Sequence, residues 1–155
     1  MDIVIRKATE EDIPAIFGLI QELARFEDGL ENVRNSIEQM KAEQEYFNCY
    51  VAEKSGEVVG MALYFFAYFT WVGKSLYLDD LYVKQAYRGQ NIGSRLMAKM
   101  KEVARQENCK RLRLQVLHWN SNAIEFYEKS GFYVDKDWYN CDISLSQNGT
   151  MGNSC

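Results

Sequence analysis

From Leu76 to Val83 the sequence reads as an apolar strand interrupted by two adjacent carboxylates, Asp79 and Asp80. It then passes through a short turn into the clearest helical stripe in the chain: Ile92, Leu96, Met97, Met100, Val103 and Ala104. The turn carries Arg88, Gly89, Asn91 and Gly93. Small residues let a backbone approach a ligand closely, and the first N–H groups of a helix are unpaired at the positive end of its dipole. A strand, turn and helix of this composition can therefore cradle phosphates. The glycine spacing is neither a Walker loop nor a GxGxxG fingerprint. Taken alone, the turn is better read as a loop whose glycines only permit a tight bend.

The rest of the chain supplies elements around that unit. Ile3 to Ile5 is a short strand. Thr9 followed by Glu10, Glu11 and Asp12 marks a helix start, with Pro14 in the first turn where proline is tolerated. Ile13, Ile16, Phe17, Ile20, Leu23 and Ala24 recur at helical spacing, and Gly29 breaks the run. A weaker helix is expected from about 33 to 44, then a strand from Phe47 to Glu53, a hairpin turn at Ser55-Gly56 and a long aromatic strand from Val58 to Phe69. Apolar residues fill both alternating sets of that strand, so both sheet faces should be covered. Leu112 to Leu117 reads as a strand, Asn122 to Ser130 as a helix stopped by Gly131, and Phe132 to Leu145 as extended again. Hairpins in the middle and β-α-β connections later predict an α/β mixed sheet with helices on both faces. Residues 1–146 should form one domain, and 147–155 a polar tail.

The chain has 155 residues, 47% hydrophobic and 26% charged, with a formal charge of −4. That length and balance support a substantial core and argue against disorder. A pI near 5.1 argues against a nucleic-acid partner, since phosphate contacts need clustered Lys and Arg. Cys49, Cys109, Cys141 and Cys155 form no CxxC pair and His118 is the single histidine, so no metal site is expected. With no apolar leader and no long apolar run, the expectation is a cytoplasmic protein with reduced thiols and no membrane contact. Asn148-Gly149-Thr150 matches a glycosylation sequon that is idle without a secretory signal.

The run from Leu78 to Met97 resembles the acetyl-CoA-binding motif of the GNAT N-acetyltransferases, Arg/Gln-x-x-Gly-x-Gly/Ala between strand and helix. Asn120 to Gly131 is similar to that family's second CoA motif. The resemblance is nearest to the diamine (spermidine/spermine) and thialysine acetyltransferases. It covers nearly the whole chain, through Ile5-Arg6-Lys7-Ala8-Thr9, Leu23-Ala24-Arg25-Phe26-Glu27, Leu76-Tyr77-Leu78-Asp79-Asp80, Tyr87-Arg88-Gly89, Ile92-Gly93-Ser94, Trp119-Asn120 and Phe126-Tyr127. It implies a mostly antiparallel, twisted GNAT-like sheet, acetyl-CoA as cosubstrate, a small cationic amine as acceptor and a homodimer. Residue by residue, it implies that Arg88, Gly89, Gln90, Asn91, Ile92, Gly93 and Ser94 line the pyrophosphate. Leu81, Tyr82 and Val83 offer backbone groups to the pantetheine arm, joined by Asn120, Ala123 and Tyr127. Asn91 stands where a glycine is usual, and asparagine is among the few residues that tolerate positive φ.

Acyl transfer from a thioester to an amine poses two proton problems. An amine with pKa near that of Lys, about 10.4, must lose a proton, and the leaving thiolate must gain one. A phenol titrating near 10 is protonated at neutral pH, so Tyr127 is the candidate acid; helical spacing with Ala123 and Ile124 equally allows it simply to pack. Asp79 matches a family glutamate that binds and helps deprotonate the substrate, and is the amine-side base or water anchor. Because strand neighbours point to opposite faces, only one of Asp79 and Asp80 is expected in a given cleft, with Asp80 the better fit to a carboxylate supporting a bulge. Glu27 is the expected selector for positive charge, beside Phe26, which replaces a family tyrosine. Asn120 also reads as a helix N-cap, and His118 as a packed residue. Alternative readings are an acetyltransferase for an amino acid, aminoglycoside or protein N-terminus, or an acetyl-CoA-binding module without turnover.

Overall fold

Arg6 ties the first strand to the first helix. Its guanidinium donates to both oxygens of Asp12, at 2.8 and 2.9 Å, and to Glu53 on the neighbouring strand at 2.9 Å. Asp12 closes a capping box with Thr9, and Pro14 follows in the first turn of the helix. The start signals at Thr9 and Pro14 thus act as the sequence implies. The structure, a computed structural model, describes residues 2–145. Its elements are β1 (Ile3–Lys7), α1 (Ile13–Phe26), α2 (Ile37–Ala42), β2 (Asn48–Lys54), β3 (Glu57–Phe69), β4 (Gly73–Val83), α3 (Ile92–Gln106), β5 (Arg111–Leu114) and α4 (Ser121–Lys129).

The strands form one sheet in sequence order, antiparallel from β1 to β4 and parallel between β4 and β5. Alternation along β3 feeds two cores. Met61 and Leu63 pack with Ile13, Ile16 and Leu19 of α1 and Met40 of α2. Ala62 and Tyr64 pack with Leu76, Leu78 and the α3 stripe on the opposite face. A strand apolar on both alternating sets is thereby buried on both sides, as expected.

Four expectations are corrected. The second helix spans six residues rather than a dozen, because Ser36 accepts from the Gln39 N–H and starts it late. The β5 pairing stops at Leu114. The stretch from Phe132 to Leu145 contains no strand: the Asp135 carboxylate accepts from the Asp137 N–H and the Trp138 indole N–H, an Asx-type turn that bends the chain. The break after α1 also falls earlier than Gly29, with Asp28 itself in the left-handed region at φ 59°. The polar tail, Asn148 and Cys155 lie outside the described residues. No helix of the described residues is long and apolar enough to cross a membrane.

Candidate active site

Position 79 is where β4 departs from regular pairing. Leu63 opposes Asp80 and Tyr64 opposes Leu78, so Asp79 is the extra residue of a β-bulge. A bulge suspends the strict alternation of side chains. Asp79 and Asp80 consequently line the same cleft, about 210 Å³ in volume, with Ile20, Met40, Phe47 and Leu63 as apolar walls and Glu43 as a further acid. The expectation that the two carboxylates face opposite sides is overturned, and so is the assignment of Asp80 to bulge support. Among the described residues, neither carboxylate takes part in a hydrogen bond or ion pair. Asp79 is exposed at the rim, whereas Asp80 is only partly accessible.

The same bulge marks where the sheet opens. Parallel pairing of β4 with β5 runs only from Ser75 and Arg111 to Leu78 and Leu114. Beyond it, Leu81, Tyr82 and Val83 pair with β3 alone, so one edge of β4 has no strand partner among the described residues. An acyl chain carrying amide groups can pair with such an edge. Arg88 Nε already donates to the Val83 carbonyl at 3.0 Å, and its guanidinium lies 5.4 Å from the Tyr82 ring centroid, while the Tyr82 hydroxyl donates to Glu22. The Val83 carbonyl is thus already engaged by a side chain of the turn that follows it.

At the end of β4 the chain turns through Gly89, at φ 83°, and Asn91, at φ 62°, into α3. The positive φ expected of Asn91 is observed. Gly93 and Ser94 follow in the first turn of α3, where backbone N–H groups have no partner within the helix. Gln90 accepts from Lys54 at 3.1 Å. Ile92 contributes only backbone, since its side chain is buried in the core. Asn120 caps α4 by accepting from the Ala123 N–H at 3.2 Å, which occupies that amide.

Charge links three elements across the gap. Glu27, at the end of α1, is raised by burial and then by the charge of Asp79. Burial likewise raises Asp79 despite its open rim position. Asp80 is pushed up to about 7, first by burial and then by Asp79 and Glu27. Tyr127, on α4, is pushed up to about 12 by burial, then by Glu27 and Asp80. Glu27 thus shares its electrostatic surroundings with Asp79, Asp80 and Tyr127, and Asp80 is the member that sequence reasoning set aside. The signal for it was the adjacency itself, two acids in an apolar strand, where an unpaired charge is expensive. The Phe26 ring lies 5.9 Å from that of Trp119. His118 is exposed rather than packed.

A mixed sheet that parts at a bulge, with a glycine-bearing turn at one end of the gap and acids and a phenol around it, is the architecture of an acyl-transferring enzyme. Residues 13–132 match the model of the Acetyltransferase (GNAT) family, and the chain belongs to that family. It is an N-acetyltransferase. It is 43% identical to a thialysine N-epsilon-acetyltransferase of Bos taurus over 141 residues, covering 83% of each chain. It is 35% identical to the spermidine/spermine N(1)-acetyltransferase-like protein 1 of Homo sapiens, covering 82% of this chain and 20% of that one. The fold is similar to an aminoglycoside acetyltransferase from an uncultured soil metagenomic sample, with TM-score 0.76 and 20% identity over 93% of this chain and 100% of the other.

Proposed function

We propose that the protein, acting as a single cytoplasmic domain in a homodimer, transfers the acetyl group of acetyl-CoA to a primary amine of a small cationic substrate, of the polyamine or thialysine kind. The observation that carries this reading is the bulge at Asp79, which brings both acids to a cleft walled in part by Ile20, Met40, Phe47 and Leu63, with no Lys or Arg among the described residues that line it. An alkyl ammonium supplies both complements: its chain suits Ile20, Met40 and Leu63, and its charge suits the acids. Asn35 lines this cleft and also a neighbouring one of about 440 Å³ bordered by Phe17, Gln21, Leu30 and Val33, which gives a longer acceptor room to extend.

The fit to acetyl-CoA rests on the two left-handed residues that turn the chain into α3 and on the unpaired edge of β4. Residues 88–94, with Asn91 and Gly93 central, hold the pyrophosphate; Leu81 to Val83 and Asn120 flank the arm. When bound, acetyl-CoA supplies a thioester carbonyl. Asp79 anchors the incoming amine, directly or through water. Glu27 favours positive charge at the mouth. Tyr127, held protonated by its surroundings, gives a proton to the departing sulfur.

The test is calorimetric titration with acetyl-CoA, followed by thiol release with spermidine, thialysine, an aminoglycoside and an amino acid. The reading expects binding, and turnover on at least one of the first two. Binding without thiol release on any amine would favour a sensing module, and turnover confined to the last two would overturn the substrate class.

A further inference from the structure

The functional reading leaves the amine-side base between Asp79 and a water that it anchors. We infer that Asp80, the deeper carboxylate of the bulge, is the group that takes the proton from the incoming ammonium, and that Asp79 holds that ammonium at the rim. The inference rests on the function proposed above.

Three features of the cleft separate the two acids. Both residues line the same cavity, but Asp79 is exposed while Asp80, which lies opposite Leu63 across the ladder, is only partly accessible. Asp80 also shares the electrostatic surroundings of the other ionisable groups of the site: Asp79 on its own strand, Glu27 at the end of α1, Tyr127 on α4 and the buried Cys49 on β2, with Glu43 bordering the same cleft. No Lys or Arg among the described residues is hydrogen-bonded or ion-paired to Asp79, Asp80 or Glu27. Finally, the charge felt by the Tyr127 phenol is that of Glu27 and Asp80, so Asp80 is the strand carboxylate coupled to the proposed acid.

This placement suits a base. A carboxylate titrating near 4 is a poor acceptor for an ammonium near 10, and one brought to about 7 narrows the gap while remaining ionised in part at neutral pH. In the step, the ammonium gives one proton to Asp80, leaving a neutral amine and a carboxylic acid. The amine nitrogen bonds the acyl carbon as the carbon–sulfur bond breaks. The sulfur takes the Tyr127 proton, Tyr127 recovers one from the acylated nitrogen, and Asp80 releases its proton to solvent.

The experiment is the pH profile of kcat/KM for the wild type, Asp80→Asn and Asp79→Asn, with thermal melting of each. The wild type should show an acid limb near pH 7. Asp80→Asn should lose that limb and fall on the order of 10²-fold or more. Asp79→Asn should keep the limb, moved to lower pH because a neighbouring negative charge is gone, with a loss under about tenfold and a raised KM. Should Asp80→Asn fail to fold, carboxyl-carbon NMR on the wild type and on Asp79→Asn reads the same group, with a signal titrating near 7 that moves down in the variant. The inference is overturned if Asp80→Asn keeps the limb, if Asp79→Asn abolishes it, or if no carboxyl titrates above about 5. Thiol release on no amine at all would overturn the functional reading together with this one, whereas turnover with the limb assigned to Asp79 would overturn this one alone.

Discussion

Asn91 adopts the left-handed conformation, φ 62°, at the residue directly before Ile92, whose side chain is 2% exposed in the core. Backbone and packing therefore fix the two sides of the turn that delivers α3. A β-branched residue at 91 would pay the left-handed penalty that asparagine largely escapes. Asn91→Val should destabilise the protein by roughly 1–2 kcal/mol, while Asn91→Gly stays within about 0.5 kcal/mol of the parent. Urea unfolding with unchanged m-value measures both.

Tyr127 has a raised phenol pKa and packs by edge contacts with Phe126 and Phe132, at 5.5 and 5.7 Å between ring centroids. Tyr127→Phe keeps those contacts and removes only the proton. The expected result is a fall in kcat of about 10²-fold with KM and melting temperature little changed, read by steady-state kinetics and calorimetry. Full turnover would remove the acid role.

Stability should respond to pH through the same acids. Asp80 is held above its unfolded value, so the folded state binds more protons between about 4 and 7. Its contribution is fully present below about 4 and is lost as the pH rises through 7. Asp12 acts in the opposite sense: the Arg6 hydrogen bonds hold it low, so its contribution is present above about 4 and lost as the pH falls through its depressed value. Thermal melting across pH 3 to 8 should show a maximum on the acidic side of neutrality. In Asp80→Asn the decline toward pH 7 should flatten.

Gly60 sits against β4 so closely that an added Cβ would stand 3.1 Å from the Tyr82 carbonyl oxygen and 3.5 Å from Ile92 Cγ2. The obstructing atom is backbone, which cannot rotate away. Gly60→Ala should destabilise by roughly 1–3 kcal/mol and weaken acetyl-CoA binding, because the strand edge and the α3 turn shift together. Urea unfolding and calorimetric titration check the two effects.

Sequence patterns disclosed what local chemistry controls. The α3 stripe, the double-sided burial of β3, the Asn120 cap and the positive φ of Asn91 all follow from residues within a few positions of one another. The orientation of Asp79 and Asp80 does not, because it depends on how β4 registers against Leu63 and Tyr64 on the preceding strand. A period of two was the correct rule for β4 on either side of the bulge and failed only at it. The extended reading of 132–145 failed for a similar reason: its aromatic and β-branched residues suit a strand, yet Asp135 turns the chain locally, leaving Tyr139 96% exposed. The gathering of Glu27, Asp80 and Tyr127 from α1, β4 and α4 is a property of the sheet and its two helical layers, and no single segment carries it.

The central claim is that acids in a partly apolar cleft select a cationic acceptor for acetylation. The most direct measurement compares kcat/KM for 1,4-diaminobutane and for butylamine, which share a reacting amine and differ by one distal charge. The account predicts a preference for the diamine of about tenfold or more, reduced by salt and by Glu27→Gln. Equal values for the two amines, unaffected by salt or by that substitution, would contradict it.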